Sequence, residues 1–146
     1  MPRILGLDYG DVRLGFAVSD QDGIIAFPHG MEVCRTQDEA LKAVEKICRE
    51  TKAETIVVGY PLNMNGTRGP RADLTDAFME KLRQRLKIPV EKWDERLSSK
   101  AAEAVLIEGG TRRENRKKHI DKLAAQIVLQ NYLDAHAAPF DPDTEP

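Results

Sequence analysis

The sequence is poor in cysteine, lacks any long apolar run and carries almost no excess charge. It has only two cysteines, Cys34 and Cys48, far apart and at no metal-ligand spacing. The three histidines, His29, His119 and His136, are scattered. These absences exclude a disulfide scaffold and argue against a zinc site. The two cysteines lie in apolar-patterned stretches and read as buried thiols of a reducing compartment. No apolar stretch approaches the roughly 20 residues a membrane span needs. The opening MPRILGLDYG lacks the length and cleavage site of a secretory signal. The expectation is a cytoplasmic protein with no membrane partner. A net charge of -2 is not that of a strongly basic nucleic-acid domain.

What remains is an ordinary globular composition, 41% hydrophobic and 32% charged, in 146 residues. That length fits one domain with a single core. One domain is expected over residues 1–138, followed by a flexible acidic tail over 139–146. Charge is uneven: Arg112, Arg113, Arg116, Lys117, Lys118 and His119 fall close together. A local patch of this kind can supply phosphate contacts despite a neutral total.

Periodicity sets the element order. A first strand is expected over Arg3–Tyr9, a turn at Tyr9-Gly10-Asp11, and a second strand over Arg13–Ser19 with Leu14, Phe16 and Val18 on one face. Asp22-Gly23 signals a hairpin into a third strand from Ile24 to Val33, interrupted near Pro28. The period then becomes helical. Thr36 and Glu39 form a capping box for a helix to Thr51. Thr55–Gly59 reads as a strand buried on both faces. A loop over Tyr60–Arg71 precedes a helix over Ala72–Leu86, with Leu74, Ala77, Phe78, Leu82 and Leu86 as its apolar stripe. A strand over Val90–Trp93, a helix from Ser98 or Ser99 to Glu108, a basic mobile loop over Gly109–Lys117 and a last helix over Lys118–Ala135 complete the chain. Three strands in a meander followed by alternating helices and strands predict an α/β fold. Its mixed five-stranded sheet has three antiparallel and two parallel strands, with helices on both faces.

Several carboxylates occupy costly positions. Asp8 closes an apolar strand and shares one face of it with Ile4 and Gly6. Gly6 removes bulk beside Asp8, so another element can approach closely. Asp94 and Glu95 close the strand at Val90–Trp93 and point to opposite faces. Asp121 lies on the last helix, on a stripe with Ala124, Ala125, Val128 and Tyr132. Burying an unpaired carboxylate costs several kcal/mol, and a metal ion removes that cost. Strand ends and a helix face can gather such acids around divalent ions, a device for phosphodiester cleavage. Oxygen-only ligands favour Mg²⁺ or Mn²⁺. Taken singly, each acid reads first as a turn residue or a cap; taken together, with the small residues around two of them, they suggest a shared metal site.

The segments GLDYGDVRLGFAVSD (6–20), VVGYPLNMNGTRG (57–69), DERLSS (94–99) and HIDKLAAQIVLQNYL (119–133) resemble the YqgF family. Its members are described as pre-16S rRNA nucleases and, earlier, as Holliday junction resolvases. The resemblance covers about Arg3 to Ala135. It implies a ribonuclease-H-like fold related to RuvC resolvases, with Asp8, Glu95 and Asp121 as catalytic and metal-holding acids. It also implies trimming of the 5′ end of precursor 16S rRNA, with branched DNA as the other substrate. Many members of the wider superfamily carry the second acid at the end of the fourth strand. Here that strand ends in Gly59-Tyr60-Pro61, so the second carboxylate must come from Glu95.

Arg13 and Arg96 follow the acids closely and could grip a phosphate in bidentate fashion. The alternative is an ion pair with Asp11 or Asp94. Lys117 and Lys118 precede Asp121 by one turn. The loop with Asn63 and Arg68 is polar and glycine-containing, as functional loops often are. Trp93 and Tyr60 could stack on bases, though Trp93 lies within a strand and reads first as core. The competing functions are a junction resolvase on DNA, a non-catalytic RNA-binding or transcription-associated module, and a nucleotide-binding protein. The last rests on Asp8-Tyr9-Gly10 and its hairpin, which resemble those of sugar-kinase and actin-like ATPases. A monomer or a weak homodimer is expected.

Overall fold

The computed structural model describes residues 3–61, 65–94 and 113–136, with the side chains of the last segment described from residue 124. The order is β1 (Arg3–Tyr9), β2 (Arg13–Ser19), β3 (Ala26–Val33), α1 (Gln37–Thr51), β4 (Ala53–Tyr60), α2 (Pro70–Leu86), β5 (Val90–Asp94) and α3 (Arg113–His136). The strands form one sheet in the order β3-β2-β1-β4-β5. β1, β2 and β3 pair antiparallel, while β4 runs parallel to both β1 and β5. The mixed sheet expected from the sequence is present. The helix expected from Ser98 or Ser99 to Glu108, the segment 109–112 and the tail lie outside the described residues.

Local chemistry accounts for the boundaries. The Asp20 carboxylate accepts from the backbone N–H of Ile24 (2.8 Å) and of Ile25 (3.2 Å). That turn delays β3 to Ala26, two residues later than the pattern suggested. The interruption expected at Pro28 is a bulge, with Phe16 opposite Gly30 and Ala17 opposite Pro28. β3 is an edge strand, where a proline is tolerated. Thr36 caps α1, its Oγ1 accepting from Glu39 N at 3.1 Å, but the Glu39 carboxylate bonds Arg35 N at 2.8 Å rather than the cap residue's own N–H.

α2 begins at Pro70, its N1 position, which suits a residue lacking an N–H. Its buried side is Ala72, Thr75, Phe78, Met79 and Leu82. Of the expected stripe, Phe78 and Leu82 are buried and Leu86 packs against the core, while Leu74 is 48% exposed and Ala77 is exposed, so the buried side is rotated toward Ala72, Thr75 and Met79. The Phe78 ring stacks on Tyr9, centroids 4.0 Å apart and nearly coplanar, and this contact holds the helix in its rotation. α3 starts five residues before the expected position, so 113–117 belong to a helix and not to a mobile loop.

The two faces of the sheet bury separate clusters. Leu5, Leu7, Leu14, Phe16, Ile56, Val58 and Tyr60 pack under α1 and α2. Ala17, Ala26 and Val57 pack under α3 with Ala125, Val128, Leu129, Tyr132 and Leu133. Helices therefore cover both faces, as expected. Both cysteines are free and buried. Gly6 sets the depth of α3: a Cβ there would stand 2.8 Å from Leu129 Cβ and 3.2 Å from the Ala125 carbonyl oxygen. Gln126 Nε2 donates to the Ala26 carbonyl, and Gln130, one turn later, bonds Ala26 N and the Ile24 carbonyl. α3 thus runs antiparallel to β3, and so to β1.

The turn after β1 is fastened from the other side by Arg71 of α2. Its Nη2 donates to the Tyr9 carbonyl (2.5 Å) and its Nη1 to Asp11 Oδ1 (2.7 Å). The guanidinium also lies 5.1 Å from the Tyr9 ring centroid. Only a planar fork can make all three contacts at once.

Three outcomes follow. Gly6→Ala should lower unfolding stability by about 1–3 kcal/mol in urea titration, because α3 must shift to admit the methyl group. Arg71→Leu should speed hydrogen exchange of the Gly10 amide about tenfold or more and cost about 1–2 kcal/mol, and Arg71→Lys should not restore the protection. Burial pushes the Cys48 thiol up to about 11, and burial with a bond to Glu91 pushes the Tyr132 phenol up to about 12. Their protonated forms are favoured in the fold, so this stability is complete below their ordinary values of 9.0 and 10.0 and is lost as pH rises through 11 and 12. Melting temperature should fall across that window, and Tyr132→Phe should flatten its upper part.

Candidate active site

Asp8 is the second-last residue of β1, the central strand, and its fractional exposure is intermediate. Its face follows from its neighbours. Leu7 and Tyr9 belong to the α1/α2 side, whereas Gly6 lies against Leu129 and Ala125 of α3. Asp8 alternates with Gly6 and shares the α3 face. Opposite it on β2 is Gly15. On the other side Leu7 pairs with Val58, which makes Gly59 the neighbour of Asp8, and Gly59 pairs with Trp93. The row across this face is therefore Gly15, Asp8, Gly59 and Trp93. Neither strand beside β1 contributes a side chain next to the carboxylate.

Because α3 runs antiparallel to β1, its residues before Ala125 advance toward the Asp8 end of the strand. Asp121 lies one turn before Ala125 in that helix. The residues that follow on its stripe, Ala124, Ala125, Val128 and Tyr132, are buried, as the sequence suggested. Asp121 thus belongs to the helix that covers the Asp8 face of the sheet. The side chain of Asp121 is not among those described, and Glu95 lies outside the described residues. Among the described residues no three metal-ligating side chains cluster.

The remaining sequence-derived candidates divide. Arg13 opens β2, where Leu14 and Phe16 face α1 and α2 while Gly15 and Ala17 face α3. Alternation puts Arg13 on the Asp8 face at the same end. Asp11, one of the partners considered for it, is bonded by Arg71. Asp94 pairs with Tyr60, whose hydroxyl donates to Asp76 of α2 at 2.8 Å, so Asp94 has its register position on the face opposite Asp8. Arg68 is not brought to the Asp8 face. Its Nη2 donates to Asp73 (2.6 Å) and Asp76 (2.5 Å) of α2. Lys117 and Lys118 belong to the helical backbone of α3 without described side chains. Asn63 and Arg96 lie outside the described residues.

Three participants escaped the sequence reading. Gly15 and Gly59 each interrupt an apolar strand, a sign of close approach by another group, but their place beside Asp8 depends on register. Arg71 stands at a loop-to-helix junction and carries no local signal at all. Chemically, the row offers a carboxylate at the end of a strand whose neighbours in the sheet are glycines, with Arg13 on the same face. Such a place can receive a polyanion through a cation.

The chain matches the RuvX family, described as Holliday junction resolvase, over residues 2–135. It is 49% identical over 132 residues to a protein of Syntrophomonas wolfei named "Putative pre-16S rRNA nuclease", covering 90% of this chain and 94% of that one. A protein of Symbiobacterium thermophilum with the same name is 50% identical over 138 residues, covering 93% and 94%. Among solved structures, Thermus thermophilus RuvC bound to a Holliday junction substrate superposes with a TM-score of 0.58 at 18% identity, covering 92% of this chain and 95% of that one. Fowlpox virus resolvase with junction DNA gives 0.57 at 12% identity, covering 91% and 97%. These two likenesses establish a RuvC-like, ribonuclease-H-like fold. The family match spans nearly the whole chain, and on that ground the chain belongs to the RuvX family.

Proposed function

We propose that this chain is a divalent-metal-dependent nuclease that hydrolyses phosphodiester bonds in precursor 16S rRNA near its 5′ end. The observation that carries the reading is the position of Asp8: end of the central strand, between two glycines, on the face crossed by α3. Half-identical relatives named as nucleases of that RNA support the choice of substrate. Asp8, Glu95 and Asp121 are the acids proposed to hold Mg²⁺ or Mn²⁺. Glu95 is preferred to Asp94 because Asp94 has its register position on the opposite face from Asp8. The donor set is all oxygen, which suits these hard cations. When bound, such ions activate water and stabilise charge on the leaving oxygen.

The chain's own residues perform the rest. Asp8 is held at a fixed height by its pairing with Gly15 of β2, by the β1–β4 ladder that runs up to Leu7, and by the Arg71 clamp on the Tyr9 carbonyl that follows it. Arg13 is proposed to orient the scissile phosphate from the Asp8 side. Arg96, Lys117, Lys118 and Asn63 remain proposed contacts to the nucleic-acid backbone. Arg68 is the weaker candidate, because two aspartates already engage its guanidinium. Free buried thiols suit a cytoplasmic setting, and no helix among the described residues is long and apolar enough to cross a membrane. The family description as Holliday junction resolvase favours a second reading, in which the same acids cut branched DNA.

The deciding assay is cleavage by the pure chain of matched precursor rRNA and four-way DNA junction substrates, with Mg²⁺ or Mn²⁺ and with chelator. Precursor rRNA should be cut near its 5′ end, and chelator should stop the reaction. Asp8→Asn should cut at least about a thousandfold more slowly, a loss on the scale of a bound ion's transition-state stabilisation, with an unchanged circular dichroism spectrum. Preferential cutting of the junction would replace the RNA reading with the DNA one. Undiminished cleavage by Asp8→Asn would remove this residue from the chemistry.

A further inference from the structure

The row that carries Asp8 ends in the chain's single tryptophan. Trp93 and Asp8 stand at the same level of the sheet with Gly59 between them. Two strand spacings separate their backbones, about 10 Å, and the intervening position has no side chain. Trp93 is half-buried and belongs to β5, the strand at the end of the sheet order. It packs on the margin of the α3-side core rather than within it. The indole is braced from the helix side by two rings: Tyr132 lies edge-on at 5.8 Å and His136 at 6.0 Å between centroids. Tyr132 is itself held. Its hydroxyl donates to the Glu91 carboxylate and its ring stacks on His136 at 4.0 Å. Trp93 thus combines partial exposure on an edge strand with a ring braced from one side, level with Asp8 and separated from it by a glycine.

We propose that Trp93 is a stacking platform for an unpaired nucleobase of the strand whose phosphate is held at Asp8. A braced indole has already lost its rotamer freedom, so stacking a base on it costs little further entropy. Aromatic stacking accepts any base, because every base has a π face. The platform therefore selects for unpaired nucleotides beside the cut and not for sequence. A fully paired duplex does not offer such a base. This inference rests on the nuclease reading for its orientation, but its test does not depend on cleavage.

The single tryptophan makes the test direct. The full chain is titrated in excess chelator with a short single-stranded RNA while indole fluorescence is followed. A second titration uses an abasic strand of equal length and charge. The RNA should quench saturably, and the abasic strand should quench little at matched occupancy, with occupancy read from the anisotropy of a labelled strand. Trp93→Leu should bind the RNA about tenfold more weakly and Trp93→Phe within about twofold of the parent. Equal quenching by the abasic strand, no quenching by the RNA, or unchanged affinity in Trp93→Leu would overturn the proposal. Should Trp93→Leu fail to fold, the comparison of RNA with abasic strand on the parent chain decides alone. Quenching in a chain that never cleaves would leave the platform standing and the nuclease reading lost; cleavage without quenching would do the reverse.

Discussion

α3 rests on the sheet at the spot where β1 has no side chain. At Gly6 the helix backbone itself, through the Ala125 carbonyl, comes within contact distance of the strand. That closeness seals Ala125, Val128 and Leu129 against Ala17, Ala26 and Val57 and gives the second core its density. It also fixes the course of the helix, since Gln126 and Gln130 on its flank tie into the start of β3. Everything proposed for the site depends on that course, because it determines which end of α3 arrives at the carboxyl end of β1.

The two faces of β1 do opposite work within a few residues. Tyr9 points into the α1/α2 layer, stacks on Phe78 and supplies the carbonyl that Arg71 grips. Asp8, its immediate neighbour, faces the other way into a row emptied by glycine on either side. The crowded face holds the strand end still, and on the other face Asp8 stands in a row where its strand neighbours are glycines. A rigid support behind a polar group is what a pre-organised site requires.

The relatives name RNA, the family description names a DNA junction, and the RuvC-like likeness fits both. A carboxylate row that binds a phosphodiester through a cation has no means of telling a ribose from a deoxyribose. That distinction needs contacts to the 2′-hydroxyl or to the shape of the strand. A stacking surface at Trp93 adds a different kind of selection, for unpaired bases, which both a processing site and a branch point can offer.

Much of this architecture could be read in advance. Alternation in β1 and β2, the Thr36 cap and the β-branched run of β4 report on contacts made within a few residues, and each appeared within a residue or two of its expected place. The small residues after Asp121 and the gap at Gly6 announced a close helix, because bulk or its absence is written in side-chain identity. What no local pattern contained was register and rotation. That Gly15 and Gly59 flank Asp8, that Asp94 belongs to the far face, that α2 turns Leu74 outward, and that Arg71 reaches back to Tyr9 all depend on how distant segments align. Those alignments are chosen by the packing of the whole core. A single residue's slip or a fraction of a turn would alter every one of them while leaving each segment's own preferences unchanged.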